Sequence, residues 1–320
     1  MGESLLKFNP DYRYVIGLLD KMAHHEHLRA TVPFELLEVE HIGIENFEEM
    51  YNNYEITELN TAVKPFYINY FLTYFPDNKN VIYLDPDIIV FDKFTHLENA
   101  LKNNNIVLTP HFFTPIYDEY RLTEMDILNA GIYNLGFIAV SNTDEVRKFV
   151  DWWKIKLRKY CKIALCHGMF VDQLWVNFVP LYFDKVFILA HRGYNMAYWN
   201  LHERTLSLKE DSRFVNDTYP LIFYHYSGYS PSQPDVLSRH QNRFCLSERK
   251  DLISIFDTYR ISLIKNGHES YSEINCYYFE IFKKRKTKEM EEHRMKKEIQ
   301  VRNKQKLMPT IKRVVKRVYR

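Results

Sequence analysis

Short apolar runs alternate along the chain with longer stretches in which apolar residues return every three or four positions. Tyr12–Leu19 (YRYVIGLL), Val81–Leu84 (VIYL), Ile88–Phe91 (IIVF), Ile106–Thr109 (IVLT), Ile132–Val140, Phe187–Leu189 and Leu221–Tyr226 read as buried strands. Between them, Asn60–Phe75 carries Val63, Phe66, Tyr67, Tyr70, Phe71 and Tyr74 at helical spacing. Pro65 falls in its first turn, with Asn60 or Thr61 as the expected cap. Residues 97–103 and Thr143–Tyr160 are further predicted helices, the second capped by Asn142 or Thr143. Strands alternating with helices predict an α/β layer fold around a mostly parallel sheet. Residues 2–9 read as a helix leading into the first strand, where such a domain ordinarily opens with a strand. The expectation is that this front strand is missing, and that a chain extended upstream would be more stable.

The pattern changes near residue 282. Lys283–Lys306 is a charged helix, with a break expected at Pro309. Ile311, Val314, Val315 and Val318 then share one face amid Lys312, Arg313, Lys316, Arg317 and Arg320. Residues 282–320 hold 16 Lys and Arg against 4 Asp and Glu, and residues 1–281 hold 27 against 37. A formal charge of +2 thus hides a basic tail of +12 on an acidic body of −10. This divides the chain into a body, 1–281, and an amphipathic, partly disordered tail, 282–320. The tail suits an anionic membrane surface, which its apolar residues would anchor. It also suits a solvated helix. Nucleic acid is the weaker reading, because no nucleic-acid-binding motif accompanies the charge.

At 46% hydrophobic residues the chain is not globally disordered, and no run of 18 apolar residues predicts a bilayer-spanning helix. The four cysteines (161, 166, 245, 276) form no C-x-x-C pair, so a reducing cytoplasm is the expected compartment. Cys161 and Cys166, followed by His167, read as two buried thiols rather than a metal site. The aromatic content of 16% predicts a cleft walled by rings, and Tyr198 and Trp199 are either such a wall or core.

Three segments carry candidate chemistry. In Tyr83-Leu84-Asp85-Pro86-Asp87, two carboxylates two residues apart in an extended segment project to one side. Pro86 ends the strand and holds Asp85 in the extended region. This is a rigid oxygen pair where an open α/β sheet binds ligands, suited to Mg2+ or Mn2+ with substrate phosphates, or else a solvated turn. His225, closing the aromatic segment Phe223-Tyr224-His225, is a third ligand or a hydrogen-bonded structural histidine. Asp172-Gln173 opens an aromatic helix, where the acid serves a substrate or the helix terminus. His111, just past a strand, reads as structural or cleft-lining.

Together these segments resemble bacterial GT-A (Rossmann-like) glycosyltransferases of the DxD-containing group akin to glycosyltransferase family eight. The resemblance spans roughly residues 3–245. It rests on Leu59–Pro65, VIYLDPDIIVF (81–91), AGIYNLGFIAV (130–140), GMFVDQLWVN (168–177), NMAYWNLHER (195–204) and HYSGYSPSQPDVLSRHQNR (225–243), in that order. It implies a hexosyltransferase using a nucleotide sugar, a UDP-sugar in first place, with Mn2+ or Mg2+. The acceptor implied is a glycan or lipid-linked sugar in bacterial surface polysaccharide synthesis. Asp85, Asp87 and His225 match the metal ligands, and Asp172 and Gln173 the reaction centre. Asn134 matches a donor contact, with Lys64, Asp85 and Asn195 also placed on the donor. Its H-x-x-G spacing implies retention at the anomeric carbon. The family block continues to Lys-Pro-Trp, where this chain has Tyr229-Ser230-Pro231. The rivals are a nucleotidyltransferase, disfavoured by the lack of a Gly-rich loop, and a non-catalytic carbohydrate- or membrane-binding relative. The tail would bring a cytoplasmic enzyme to the inner face of the membrane.

Overall fold

The computed structural model describes residues 1–318 apart from Ala30, with side chains described as far as residue 302. In chain order, β1 (Val15–Leu18) and β2 (Glu35–Glu38) pair in parallel. β3 (Asn80–Leu84) and β4 (Ile88–Val90) flank the Asp85-Pro86-Asp87 turn. β5 (Ile106–Leu108) and β6 (Phe137–Ser141) follow, then a short hairpin of β7 (Ile163–Ala164) and β8 (Met169–Phe170). β9 (Val186–Ile188) precedes a meander of β10 (Leu206–Lys209), β11 (Ser212–Val215) and β12 (Tyr219–Pro220), and β13 (Phe223–His225) closes the set. The central sheet has the order β3-β6-β5-β9, and β4 leaves it to pair with β13.

The fold is mixed α/β, but the expected mostly parallel sheet is not what forms. Of the eight strand pairings among the described residues, only β1–β2 and β5–β9 are parallel. After β5 the chain turns back on itself, with Pro110 bridged antiparallel to Tyr133, and β6 returns antiparallel between β3 and β5. Apolar runs signal burial and carry no information on strand direction.

β6 shows why this sheet is central. Ile138 and Val140 face the helices Lys64–Tyr74 and Asp144–Tyr160 through Phe149, Trp153 and Leu72. Phe137 and Ala139 face the opposite layer with Leu5, Phe94, Leu97 and Phe223. The period of two thus buries both faces, and all five residues of β6 are buried.

The single helix expected over Asn60–Phe75 is two, Ile56–Ala62 and Lys64–Tyr74. Pro65 lacks the N–H that would bond Thr61, so the first helix stops and a second begins with Lys64. Asn60 and Thr61 lie inside the first helix rather than capping, and Thr61 Oγ1 donates to the Thr57 and Glu58 carbonyls. Thr143 caps its helix as predicted, accepting from Val146 N at 3.3 Å. Cys161 is buried, but Cys166 is exposed at the β7–β8 turn.

The last helix, Tyr277–Val318, is rooted by Tyr278 against Phe47 and Tyr51 and by Tyr277 N donating to Asp20. Burial ends at Phe282, and residues 283–302 are exposed. The helix continues through Pro309, where a break was expected; a proline removes one ladder bond and can kink a helix without ending it. The apolar set Ile311, Val314, Val315 and Val318 lies outside the described side chains. No helix among the described residues is long and apolar enough to cross a membrane.

Candidate active site

The turn from β3 to β4 crosses from one sheet to another and carries Asp85 and Asp87 with it. Its backbone is pinned on both sides. Asp85 N donates to Gly136 O at 2.8 Å, and Tyr226 N donates to Asp87 O at 2.8 Å. β13 runs antiparallel to β4 with His225 opposite Ile88, which brings the imidazole back to the two acids. Asp85, Asp87 and His225 each offer one ligand atom, and the three atoms lie within 4.8 Å of one another. His225 Nε2 is 2.9 Å from Asp87 Oδ1 and 3.8 Å from Asp85 Oδ2.

The donor set fits a hard divalent cation. Asp87 Oδ1 is a buried oxygen 2.9 Å from His225 Nε2 that, among the described residues, makes no well-directed hydrogen bond. Convergent lone pairs that fail to bond each other leave a point between them for a shared cation. The carboxylates keep 26% and 34% exposure while His225 keeps 3%, so the cluster opens to solvent on the acidic side.

Several neighbours fix this geometry. Tyr83 Oη donates to Asp85 Oδ1 at 2.6 Å, leaving Oδ2 toward His225. The His225 ring packs T-shaped against Trp199 at 5.1 Å between centroids. The ring also lies against Gly136, where a Cβ would stand 2.2 Å from His225 Cε1 and 2.7 Å from Nδ1. Burial opposes charge on the Asp87 carboxyl, but the His225 ring beside it holds it below the usual range. Burial likewise disfavours the imidazolium of His225, and the Asp87 and Asp85 charges outweigh it and raise that group.

Lys64, first in its helix because of Pro65, reaches the same centre. Its Nζ donates to Leu135 O at 2.9 Å and pairs with Asp172 Oδ2 at 2.9 Å and Asp85 Oδ1 at 3.6 Å. Burial works against its charge, yet the two carboxylates raise it well above the ordinary lysine value. Asp172 is raised by burial, which the Lys64 charge only partly offsets. Val171, just before it, adopts φ +39°, a costly conformation for a β-branched residue. Gln173 is buried at the start of the helix Gln173–Val176.

The amides form an adjoining layer. Asn134 Oδ1 accepts from Gly136 N at 3.1 Å and from Asn195 Nδ2 at 3.0 Å. Asn195 Nδ2 also donates to Thr109 Oγ1 at 2.9 Å, while its own Oδ1 is buried without a partner among the described residues. Asn200 Nδ2 donates to the carbonyls of His111 and Asn195. His111 is structural here: Nδ1 meets Ile132 O at 2.9 Å, and burial pushes its pKa down to about 4. Trp199 is core, at 2% exposure, and it also serves as the wall of His225.

Seven of the eight residues that the resemblance implies for the site are linked to one another by contacts. The acids, His225 and Lys64 form one contact network with Asp172, and Asn134 and Asn195 join it through Gly136. Gln173 is placed by adjacency, without a hydrogen bond to the network among the described residues. Sequence reasoning missed Tyr83 and Gly136 as contributors. Both stood inside the quoted segments, two residues from Asp85 and from Asn134 respectively.

No family model matches the chain. It is 29% identical over 169 residues to the uncharacterised protein YfnF of Bacillus subtilis strain 168, spanning 52% of this chain and only 55% of YfnF. It is 24% identical over 240 residues to the uncharacterised YfnD of the same organism, covering 72% of this chain and 73% of YfnD. Among solved structures it is similar to the galactosyltransferase LgtC bound to donor and acceptor sugar analogues. That likeness has a TM-score of 0.48 and 16% identity, over 82% of this chain and 89% of the other. It is also similar to a glycosyltransferase involved in glycosylating the major capsid of PBCV-1. Here the TM-score is 0.38 and the identity 11%, over 66% of this chain and 91% of the other.

Proposed function

We propose that the chain is a metal-dependent GT-A glycosyltransferase that moves a sugar from a nucleotide-sugar donor to a glycan or lipid-linked acceptor. The observation that carries this reading is the convergence of Asp85, Asp87 and His225 on one point beside the Lys64–Asp172 pair. Asp85, Asp87 and His225 would hold Mn2+ or Mg2+. A bound cation there would neutralise the diphosphate leaving group as a Lewis acid. Asp85 keeps one oxygen for that role because Tyr83 occupies the other. Asp172 shares the Lys64 ammonium with Asp85, and its carboxylate would face the positive charge that develops at the anomeric carbon. Asn134 and Asn195 would take donor hydroxyls, Asn195 Oδ1 being already desolvated and without a donor among the described residues. Gln173 would line the reaction centre, and the H-x-x-G spacing favours retention.

The tail completes the proposal. The body 1–281 is the catalytic unit, and the basic tail brings it to the anionic inner face of the cytoplasmic membrane, where lipid-linked acceptors for surface polysaccharide are built. A UDP-sugar is the favoured donor. Donor hydrolysis with and without Mn2+ tests the reading. Release of nucleoside diphosphate that needs the metal and is lost in Asp87→Ala supports it. Metal-independent release, or none with any nucleotide sugar, refutes it.

A further inference from the structure

The Gly228 turn immediately after His225 carries a second constellation. Gly228 has φ +75°, and a Cβ there would lie 2.5 Å from His240 Cδ2 and 2.6 Å from Ser238 Oγ. Arg239 N donates to Gly228 O at 3.1 Å, so residues 238–240 are laid onto the turn that leads out of the metal cluster. The His240 ring lies 5.9 Å from Tyr198, whose neighbour Trp199 walls His225.

A second loop is bound to this one. Arg121 N donates to Asn242 Oδ1 at 2.7 Å, and Asn242 N donates to Arg121 O at 3.1 Å. Arg243 staples the two together. It forks onto Asp118 at 2.9 Å and donates to the Tyr120 and Leu122 carbonyls at 3.0 and 2.8 Å. The charge of Arg243 is therefore taken up by Asp118. Arg121 and Arg239 differ: both are exposed, and among the described residues neither has a carboxylate oxygen within 4.0 Å. Arg239 Nε donates to His240 Nε2 at 3.4 Å, which keeps that ring neutral and props the guanidinium. Burial and the two arginine charges lower His240, while the Asp87 charge acts on it in the opposite sense.

Two arginines of like charge are thus carried on stapled loops that are laid onto the turn leading out of the acidic cluster. A ligand that satisfies both halves carries phosphoryl oxygens toward the arginines and a divalent cation toward the acids. We propose that Arg121 and Arg239 clamp the phosphoryl oxygens of a diphosphate bound at the Asp85–Asp87–His225 cluster. This rests on the proposed function above and adds the residues that would hold the leaving group.

The test measures binding by calorimetry in the presence of Mn2+, for the full chain and for Arg121→Gln, Arg239→Gln and the double variant. The probes are inorganic pyrophosphate, a nucleoside diphosphate and the matching nucleoside. Each single change is expected to weaken both diphosphates about tenfold or more, since a charged hydrogen bond is lost. Nucleoside affinity and the melting temperature should not change, and Arg239→Lys should recover part of the loss. Variants that bind pyrophosphate as tightly as the parent overturn the clamp, as does a parent that binds none. A parent that binds pyrophosphate through these arginines but no nucleoside diphosphate upholds the clamp and overturns the nucleotide-sugar reading.

Discussion

Replacing Gly136 with alanine tests the site through a residue that is not itself a ligand. The new Cβ would stand 2.2 Å from His225 Cε1 and 2.7 Å from Nδ1. Non-bonded carbons rest about 3.5–4.0 Å apart, so the ring must retreat by more than about 1 Å. Its retreat is restricted: the buried Trp199 packs T-shaped against it, and the backbone is fixed opposite Ile88 in the β4–β13 pair. A metal ligand tolerates displacement of only about 0.2 Å, so a cation would lose its imidazole. Loss of orientation at a metal ligand costs about 10–100-fold in affinity, and overpacking of this kind costs about 1–3 kcal/mol of stability. Mn2+ titration with nucleoside diphosphate present, alongside a thermal melt, reads both effects. The double variant Gly136→Ala/His225→Ala should regain stability, because the clash is gone, while remaining unable to bind metal. Wild-type Mn2+ affinity in Gly136→Ala, or a double variant no more stable than the single, would refute the reasoning.

Other expectations follow from the same geometry. Lys64→Met leaves Asp172 buried without its cation, and breaking a buried pair costs about 3–5 kcal/mol; a denaturant titration showing less than about 1 kcal/mol would contradict the pairing. His111 has a folded pKa of about 4, below its unfolded value of about 6.5. The unfolded chain therefore binds the extra proton between these values, and stability is lost as pH falls from about 6.5 to 4, by about 3 kcal/mol for this group. Melts across that range should show a fall that His111→Gln makes shallower; equal slopes would place the effect elsewhere. Flotation with anionic vesicles should depend on the tail. The full chain floats and a 1–281 truncation sinks, whereas equal behaviour of the two removes the membrane role.

Much of this site could be read from the chain because its strongest signals are local. Asp85 and Asp87 stand out because Pro86 between them both ends a strand and restricts its neighbour. His225 stands out because an apolar strand ends on it. What could not be read depends on partners distant in sequence. Nothing near Gly136 says that a ring 89 residues further on needs its missing Cβ. Tyr83 looks like one more core aromatic until its hydroxyl is found on Asp85. Strand direction was lost for the same reason: β6 is as apolar as a parallel strand, and only its partners reveal that it runs the other way. The helix break at Val63 was legible in principle. Pro65 was assigned to a first turn, but the turn it begins is that of a second helix.

The central claim is that two carboxylates and one imidazole hold a single divalent cation. Electron paramagnetic resonance of Mn2+ measures this directly, because the free aquated ion gives a signal that vanishes on binding. With nucleoside diphosphate present, the account predicts that the protein removes one Mn2+ per chain more than nucleotide alone does, and that Asp87→Ala and His225→Ala lose this uptake while keeping the wild-type melt within a few degrees. Uptake unchanged in both variants, or no uptake by the parent chain, would contradict it.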